Sequence, residues 1–306
     1  MSNFFSDPLN GSVSVVIPTY KRHDEVIQAI RSALAQTLAP MEVLVVNDGP
    51  DLEKGRLIAA LGDERVYFHE APRRGNASAT RNFGIHQAKG NWIALLDDDD
   101  IWLPHKLEVQ FAALERVAVS SAILAGREAV YHNGRHLYDR PRKPVPLIPV
   151  DQLLFCGFAG VNTSTLVAPT TVFKQYLFNE EFEVQEDMSW MLHAGHQLPV
   201  IVADEIVAVR HMHPGEGLSR SGGADFSRTW YESHYHLMSQ QARAGFVSEL
   251  LCKQAAYDRN FYMLPWMVAE LRRQNRLTLS AIVRMIRPWV IPHRVRTLIR
   301  RILSRN

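Results

Sequence analysis

The apolar positions in the first third of the chain form short continuous runs separated by segments of helical spacing. Continuous runs without polar alternation are typical of strands buried on both faces of a parallel sheet. Between two of them, Val26, Ile30 and Leu34 recur every four residues, which predicts an amphipathic helix. Strands alternating with helices predict a doubly wound, mostly parallel α/β sheet, with ligand groups at the carboxyl ends of the strands. The strand-like runs are 13–17, 42–46, 66–69 and 92–96.

The same signals predict several element boundaries. Gly90 is a residue type favoured just after a helix, so we expect a helix from about Asn76 to end there. Pro104 suits a first helical position and predicts the start of the next helix. In the second half, a further helix is expected to open at Glu186. Strand-like segments are expected at 163–167, 200–203 and 206–209.

The run at 92–96 ends in four consecutive aspartates, Asp97 to Asp100. In an extended chain, Asp97 and Asp99 would face one side and Asp98 and Asp100 the other. One pair could then bind a cation while the other holds a ribose hydroxyl, a backbone amide or a basic side chain. Oxygen-only ligation favours Mg²⁺ or Mn²⁺. A solvated acidic turn is the alternative, but such turns rarely follow a buried strand directly.

Other polar groups fall near the ends of neighbouring strands. Thr19 and Tyr20 follow the first strand, and Asp48 follows the second. The Asp48 carboxylate could accept an N–H from a uracil-like ring or ribose hydroxyls, although the segment 47–50 also suits an ordinary turn. Arg81, on the helix before the aspartates, could pair with Asp98 or a nucleotide, or be a surface arginine.

The second half offers less distinctive signals. Glu186 and Asp187 open a predicted amphipathic helix, where simple capping is the favoured local explanation. His211 and His213 are too few for a zinc site without further ligands. The glycines that follow, with Ser219 and Arg220, suggest a flap that closes on phosphates, and a surface loop is the alternative.

Composition narrows the class of protein. The 306 residues are 46% hydrophobic and 22% charged, with a formal net charge of +2, as expected for a globular chain of one or two domains. Two cysteines, Cys156 and Cys252, cannot form a disulfide framework, and we expect a reducing, cytoplasmic setting. Residues 1–11 lack the apolar segment of a signal peptide, and no run approaches the ~20 apolar residues that span a bilayer.

The last part of the chain is strongly basic, with no acidic residue after Glu270. Apolar residues at 279, 282, 283 and 286, and again at 295, 298, 299, 302 and 303, form stripes bordered by arginines. Segment 271–306 therefore suggests a helix pair at an anionic membrane surface. Packing of these stripes on the rest of the protein is an equally good alternative. The arginines are at 272, 273, 276, 284, 287, 294, 296, 300, 301 and 305.

Taken together, the motifs resemble the inverting family-2 glycosyltransferases of GT-A fold. The resemblance covers residues 12–220 and keeps the family's order, which is more specific than any single motif. His213, followed by Pro214 and Gly215, matches the family's late histidine better than His211 does. The matching segments are 15–20, 45–49, 79–84, 90–100, 186–187 and 210–219.

The resemblance implies a nucleotide-sugar donor, expected to be UDP-linked, with Mn²⁺ or Mg²⁺ and inversion at the sugar. It implies nucleotide contacts from Pro18, Thr19, Tyr20, Asp48, Arg81, Asp97 and Asp98. It implies metal contacts from Asp97, Asp99 and His213, and makes Asp187 the catalytic base. We expect acceptor or flap contacts from Glu186, Trp190, His211, Ser219 and Arg220.

The expected function is therefore sugar transfer to a glycan or lipid-linked acceptor in cell-surface polysaccharide synthesis. We expect a cytoplasmic protein, in peripheral contact with the inner face of the cell membrane. A nucleotidyltransferase that makes the activated sugar is an alternative, but segment 18–22 lacks the glycines of its phosphate loop. A nucleic-acid binder is a weaker alternative, because the basic end has few interleaved aromatic residues.

The predicted organisation has a catalytic region at 1–224 and a basic helical extension at 225–306. The catalytic region is expected to divide into a nucleotide-binding half, 12–115, and an acceptor half, 116–224.

Overall fold

The computed structural model describes residues 12–158, 161–182, 184–212 and 222–290. Its strands are β1 (Val13–Thr19), β2 (Glu42–Asp48), β3 (Val66–Ala71), β4 (Trp92–Leu95), β5 (Asp100–Trp102), β6 (Ile123–His132), β7 (Arg135–Arg140), β8 (Val167–Pro169) and β9 (Val200–Met212). Its helices are α1 (Asp24–Leu34), α2 (Leu52–Ala59), α3 (Ala77–Gln87), α4 (Lys106–Val117), α5 (Val150–Phe155), α6 (Thr170–Gln175), α7 (Glu186–Gly195), α8 (Gly223–His234), α9 (Gln240–Gly245), α10 (Cys252–Tyr257), α11 (Met263–Arg273) and α12 (Leu279–Val290).

One sheet runs through the described residues in the order β3–β2–β1–β4–β8–β6–β9–β5, with β7 paired to β6. The four strands β3, β2, β1 and β4 are parallel, as the sequence predicts for the first half. The second half is mixed, because β8 runs antiparallel to β4 and β6, while β6 and β9 are parallel. The chain reverses just after β4, and β5 therefore pairs antiparallel with β9.

Three of the four parallel strands, β1, β2 and β4, are buried on both faces, which explains their continuous apolar runs, whereas the edge strand β3 is only partly buried. Val15 and Ile17 of β1 belong to one hydrophobic cluster, with α1 and α4. Val16, between them, belongs to the opposite cluster, which includes Ile85 of α3. Each strand therefore requires apolar side chains at successive positions rather than at alternate ones.

The predicted ends of α3 differ from the structure at its C-terminus. Asn76 caps the helix, since its side chain accepts the N–H groups of Ser78 (2.7 Å) and Ala79 (3.3 Å). The helix ends at Gln87, not at Gly90, because the backbone is already extended at Ala88. Gly90 instead allows a close contact between backbones, because a Cβ there would lie 2.4 Å from the carbonyl oxygen of Ser12.

Three other predicted boundaries were also wrong. Helix α4 begins at Lys106 rather than Pro104, after a turn closed by the Lys106 N–H and the Leu103 carbonyl (3.0 Å). The expected strand at 163–167 is a 3₁₀ turn at Thr163–Thr165 followed by the short strand β8, because Ser164 makes polar contacts in the interior. The two strands expected at 200–203 and 206–209 form the single strand β9, with register shifts opposite 126–128 of β6.

Helices α8 to α12 pack on one another and on α5. The indole of Trp230 stacks on Phe246 (centroids 5.4 Å apart) and contacts Phe155 edge-on (6.1 Å). Helix α12 buries Ala281, Met285 and Pro288. None of the helices in the described part of the chain has the length and apolar content to cross a bilayer. The separate helical extension expected at 225–306 stays a prediction.

Candidate active site

The carboxyl ends of β1 and β2, the first turns of α3 and the aspartate run surround one cavity of about 700 Å³. Parallel strands bring these ends together, as the sequence predicts. All seven residues assigned to the nucleotide from sequence line this cavity, and so does Asp99. The lining residues are Pro18, Thr19, Tyr20, Lys21, Arg22, Asp48, Arg73, Gly75, Asn76, Ala77, Thr80, Arg81, Asp97, Asp98, Asp99, Asp100 and Arg210.

The aspartate run is a turn, not the extended segment expected from sequence. The N–H of Asp100 donates to the carbonyl of Asp97 (3.2 Å). As a result, Asp98 and Asp99 contact the same arginine: Arg22 Nη1 lies 2.7 Å from Asp98 Oδ1 and 3.0 Å from Asp99 Oδ2. Burial raises the pKa of Asp98, while hydrogen bonds from Thr19 and Arg22 oppose that rise.

Asp100 points away from its neighbours and joins the aspartate run to the second half of the sheet. Its Oδ2 accepts hydrogen bonds from Ser164 Oγ (2.6 Å) and Asn162 Nδ2 (3.1 Å). The Asn162 amide also donates to Glu128 Oε2 (2.6 Å). Burial raises the pKa of Asp100 well above its usual range, and Asp97, Asp99 and Glu128 add to this. The fourth aspartate therefore has a structural setting different from that of the first three.

Arg81 links the aspartate run to α7. Its Nη2 lies 2.7 Å from Asp97 Oδ1, and its Nη1 lies 3.0 Å from Glu186 Oε1. The partner is thus Asp97 rather than the predicted Asp98, because the turn points Asp97 toward α3. Although burial opposes the charge, Asp97 and Glu186 raise the pKa of Arg81. One buried guanidinium therefore joins the aspartate run to Glu186, which lies 105 positions after Arg81 in the chain.

Asp187 lies next to this link, in the first turn of α7. It is half-buried, and its Oδ1 accepts the N–H of Met188 (2.7 Å). Burial raises the pKa of Asp187, while the Met188 N–H and the charges of Arg140 and Arg81 oppose the rise. Burial likewise raises the pKa of Glu186. Capping alone does not describe this pair, because Glu186 binds a buried arginine and Asp187 has an environment that favours proton uptake.

Asp48 and Tyr20 lie at adjacent strand ends on the other side of the cavity. Asp48 accepts the backbone N–H groups of Arg74 (2.7 Å) and Gly75 (2.8 Å), and it also pairs with Arg73 Nη1. The Arg73 guanidinium lies 3.8 Å from the centroid of the Tyr20 ring. Two aligned backbone donors therefore fix the orientation of the Asp48 carboxylate.

Several residues of the site were not predicted from sequence. Lys54 of α2 is completely buried, and its Nζ donates to Asn47 Oδ1 (2.7 Å) and Thr19 Oγ1 (3.1 Å). It joins the ends of β1 and β2, and burial lowers its pKa. Arg22 and Arg73 were also missed. Arg22 could have been found, because it is a basic residue close to a strand end, two residues after Tyr20. Arg73 and Lys54 carry no such signal in the sequence.

Two of the expected acceptor or flap residues, Trp190 and His211, do not line the cavity. Trp190 is a core residue: it is 2% exposed, stacks on Phe173 (4.4 Å) and donates to the Tyr176 carbonyl (2.6 Å). Trp190 lies on the buried face of α7, so its indole points into the core. His211 lies on β9 beside Tyr131 (6.1 Å) and is not among the residues lining the cavity. His213, Ser219 and Arg220 fall outside the described residues.

The carboxylates suit a cation only together with other ligands. Within the described ranges, no group of three or more His, Cys, Asp or Glu side chains is arranged to hold a metal ion. Asp97 and Asp99 nevertheless place hard oxygen donors on the cavity wall. Mg²⁺ in nucleotide sites is usually held by one or two carboxylates, with substrate phosphates and waters as the other ligands. The donor set therefore fits a cation that arrives with a diphosphate.

Comparisons with known proteins show which family this chain resembles. The family model described as Glycosyl transferase family 2 matches residues 14–165. An uncharacterized glycosyltransferase of Rickettsia felis is 29% identical over 211 residues, covering 67% of this chain and 35% of that protein. The chain thus spans about a third of that relative's length. The putative colanic acid biosynthesis glycosyl transferase WcaA of Escherichia coli K12 is 28% identical over 210 residues, covering 66% of this chain and 74% of that protein.

A third relative has a more specific name. It is the Escherichia coli UDP-Glc:alpha-D-GlcNAc-diphosphoundecaprenol beta-1,3-glucosyltransferase WfgD, which is 32% identical over 168 residues, or 54% of this chain and 63% of that protein. Among solved structures, residues 1–349 of S. aureus TarS, in complex with UDP-GlcNAc, superpose with a TM-score of 0.67 at 18% identity. That match covers 91% of this chain and 89% of the other, and it shows that the two share the GT-A fold.

Proposed function

Because this chain belongs to glycosyl transferase family 2, we propose that it moves a sugar from a nucleotide-diphosphate sugar to a hydroxyl group. The observation that carries the proposal is the single cavity in which Asp48, Asp97, Asp99 and Arg81 meet, with Asp187 joined to it through the Arg81–Glu186 pair. Such a cavity combines groups for a nucleotide, for a diphosphate charge and for a proton.

The nucleotide would lie against the strand ends. The ring of Tyr20 offers a flat apolar surface, and the Asp48 carboxylate can accept a ring N–H, which suits a uracil-like base. The binding of UDP-GlcNAc by the structurally similar TarS supports a UDP-linked donor. Arg81, held between two carboxylates, contributes positive charge where the phosphates are expected.

We propose that Asp97 and Asp99 hold Mn²⁺ or Mg²⁺ together with the donor. When bound, the cation would neutralise the charge that develops on the departing diphosphate. His213 stays a candidate third ligand. Arg22 balances Asp98 and Asp99 in the described structure, so the aspartate turn keeps its shape despite its concentrated charge.

Asp187 is the proposed base. Its carboxylate would take the proton of the acceptor hydroxyl as the hydroxyl oxygen attacks the sugar. Attack from the face opposite the diphosphate gives inversion in a single displacement, with no sugar bound covalently to the enzyme. The raised pKa that burial gives Asp187 suits this role, because a more basic carboxylate takes up a proton more readily.

The acceptor is proposed to be a glycan or a lipid-linked glycan of a cell-surface polysaccharide. The names of two relatives support this: WcaA is assigned to colanic acid biosynthesis, and WfgD acts on a diphosphoundecaprenol acceptor. The alternative of a nucleotidyltransferase finds no support in these relatives. Glu186 would face the acceptor from the same helix turn as Asp187.

A screen of nucleotide-sugars, each with and without Mn²⁺, tests the proposal. We expect a UDP-sugar with Mn²⁺ to raise the melting temperature, and its slow hydrolysis to release UDP. Asp187→Asn should lower turnover by about 10²- to 10⁴-fold, the usual contribution of a general base, while nucleotide binding is retained. Near-wild-type turnover of that variant would remove Asp187 from the base role.

We also propose that the C-terminal helices bring the enzyme to an anionic membrane at the inner face of the cell. Helix α12 is apolar on two sides: Ala281 and Met285 pack inward, whereas Leu279, Val283, Ile286 and Val290 are exposed. Exposed arginines accompany this outer stripe, at 272, 273, 276, 284 and 287. Each basic residue near an anionic surface contributes about 1 kcal/mol, so this stripe and its charges favour anionic lipid over a neutral surface.

Vesicle binding tests the membrane contact. The full chain should sediment with phosphatidylglycerol-containing vesicles, but not with phosphatidylcholine vesicles, and salt should weaken the binding. The double variant Val283→Asp/Ile286→Asp should lose binding. Leu147→Asp, at another exposed apolar position, is the matched control and should keep it. Equal binding by all three proteins would rule out α12 as the contact.

A further inference from the structure

One side chain covers both groups to which the base of the nucleotide is assigned. The Arg73 guanidinium lies 3.8 Å from the centroid of the Tyr20 ring and also pairs with Asp48 through Nη1. The aliphatic stem of Arg73 packs on Gly49, where an added Cβ would lie 3.1 Å from Arg73 Cδ. The side chain therefore extends across the strand ends rather than into solvent.

A guanidinium and a pyrimidine ring share the features that this surface recognises. Both are planar, both can stack on a tyrosine ring, and both carry N–H groups that a carboxylate accepts. Arg73 thus makes the two contacts expected of the base. A base and the Arg73 guanidinium cannot occupy the same face of Tyr20 and the same edge of Asp48 together.

The rest of this subsite does not depend on Arg73. The backbone N–H groups of Arg74 and Gly75 hold the Asp48 carboxylate at 2.7 and 2.8 Å, so its orientation is kept when the arginine leaves. Arg73 itself is not enclosed: its side chain is 46% exposed while that of Asp48 is 6% exposed, so the arginine can swing into solvent and leave the carboxylate in place. The Asp48 carboxylate is therefore already oriented, and the Arg73 side chain that covers it can be displaced by a ligand.

We propose that Arg73 is a stand-in for the base: it fills the base subsite of the nucleotide-free enzyme and is displaced when the nucleotide binds. The inference rests on the proposed function, because it takes Tyr20 and Asp48 as the base subsite. It makes Arg73 a residue that lowers nucleotide affinity. Nucleotides that cannot replace both of its contacts, by stacking and by donating an N–H, would be disfavoured.

Calorimetric titration with uridine and with UDP plus Mn²⁺ tests the inference. Arg73→Ala should bind uridine about 3- to 10-fold more tightly than wild type, because a cation–π contact and a partly exposed ion pair no longer need to be broken. Donor KM should fall as well. Arg56→Ala, which removes an exposed arginine from α2 outside the cavity, is the control and should bind uridine like wild type.

Other results would overturn the inference in distinguishable ways. If Arg73→Ala binds uridine equally or more weakly, while wild type still binds UDP, Arg73 is not a stand-in, and the proposed function is unaffected. If the variant gains affinity for uridine but Arg56→Ala gains as much, the effect comes from net charge and the inference also fails. If no protein binds UDP or uridine, the nucleotide assignment of the cavity fails, and the stand-in with it.

Discussion

At the scale of single residues, positive charge makes the aspartate turn possible. Arg22 serves Asp98 and Asp99, and Arg81 serves Asp97, so three adjacent carboxylates have partners before any cation binds. Asp99 shares Arg22 with Asp98, and the arginine lies closer to Asp98. A metal can therefore draw on Asp99 while Arg22 keeps its shorter contact.

Asp99→Ala should therefore weaken Mn²⁺-dependent UDP binding. Even residues that only support a metal ligand typically change affinity by about 10- to 100-fold, so loss of a direct ligand should cost at least about 10-fold. Calorimetry with UDP, with and without Mn²⁺, gives the comparison. Asp204→Ala, at an exposed position on β9, is the control. Equal Mn²⁺ dependence in wild type and Asp99→Ala would contradict the assignment.

The environment of Asp187 predicts the pH dependence of transfer. The base must be ionised, and burial raises its pKa above the usual 3.8, so activity is lost as pH falls through that raised value. The charge of Arg140 opposes the rise, so Arg140→Gln should move the acidic limb of kcat/KM to higher pH. Arg135→Gln, at the exposed start of β7, should leave the limb in place. If the acidic limb of kcat/KM stays in place in a folded Arg140→Gln protein, the pKa of Asp187 does not determine that limb.

Sequence could predict where some residues lie: Asp48 and Asp97 follow strand ends, Arg81 is on the helix before the aspartates, and all three line the cavity. It could not predict Lys54 or Arg73, because their partners come from other elements and no local pattern links them. The alternation expected for the aspartates failed because the chain turns within the run. Trp190 was expected at the acceptor site because it follows Glu186 and Asp187 closely in sequence. Sequence proximity does not show which face of a helix an aromatic residue occupies.

At the scale of elements, close packing of α3 on the sheet sets the position of Arg81. Gly84 faces β1, and a Cβ there would lie 2.5 Å from Val16 Cγ1 and 3.1 Å from Val46 Cγ2. The helix can approach the sheet only because position 84 has no side chain. Strand-like runs and the α3 cap at Asn76 were predictable from local chemistry, whereas this distance between elements was not.

Gly84→Ala should lower the free energy of unfolding by about 1–3 kcal/mol, the usual cost of overpacking, although alanine favours helix formation. Urea denaturation measures this. Gly55→Ala is the matched control: it lies in α2, and its added methyl would meet only the edge of the Phe68 ring, at 3.2 Å. We expect the control to be neutral or slightly stabilising. Equal stability of the two variants would show that α3 can shift without cost.

At the scale of the whole molecule, the C-terminal helices support α7, the helix that carries the proposed base. Trp230 Nε1 donates to Ser189 Oγ (2.9 Å), and Gln185 Nε2 donates to Ser227 Oγ (2.9 Å). Helix α7 is therefore fixed by α8 on one side and by Arg81 on the other. The family model ends at residue 165, so this support comes from a part of the chain that the model does not cover.

Trp230→Ala should destabilise the protein by about 3–5 kcal/mol, as expected for a buried indole replaced by a cavity. Transfer activity should be lost over the same range of urea as the fold. Tyr262→Ala is the control, because Tyr262 is 95% exposed and should change stability by less than about 0.5 kcal/mol. If activity survives beyond the unfolding of the C-terminal helices, α7 does not depend on them.

The shared position of Arg81 has a thermodynamic consequence. The same guanidinium contacts Asp97, which we propose binds the donor, and Glu186, which we propose faces the acceptor, so any ligand that draws it toward one carboxylate weakens its hold on the other. Linkage requires the effect to be reciprocal: the factor by which donor changes acceptor affinity equals the factor by which acceptor changes donor affinity. In this proposal, Arg81 couples the affinity for the donor to the affinity for the acceptor. The fold thereby influences the order in which the two substrates bind.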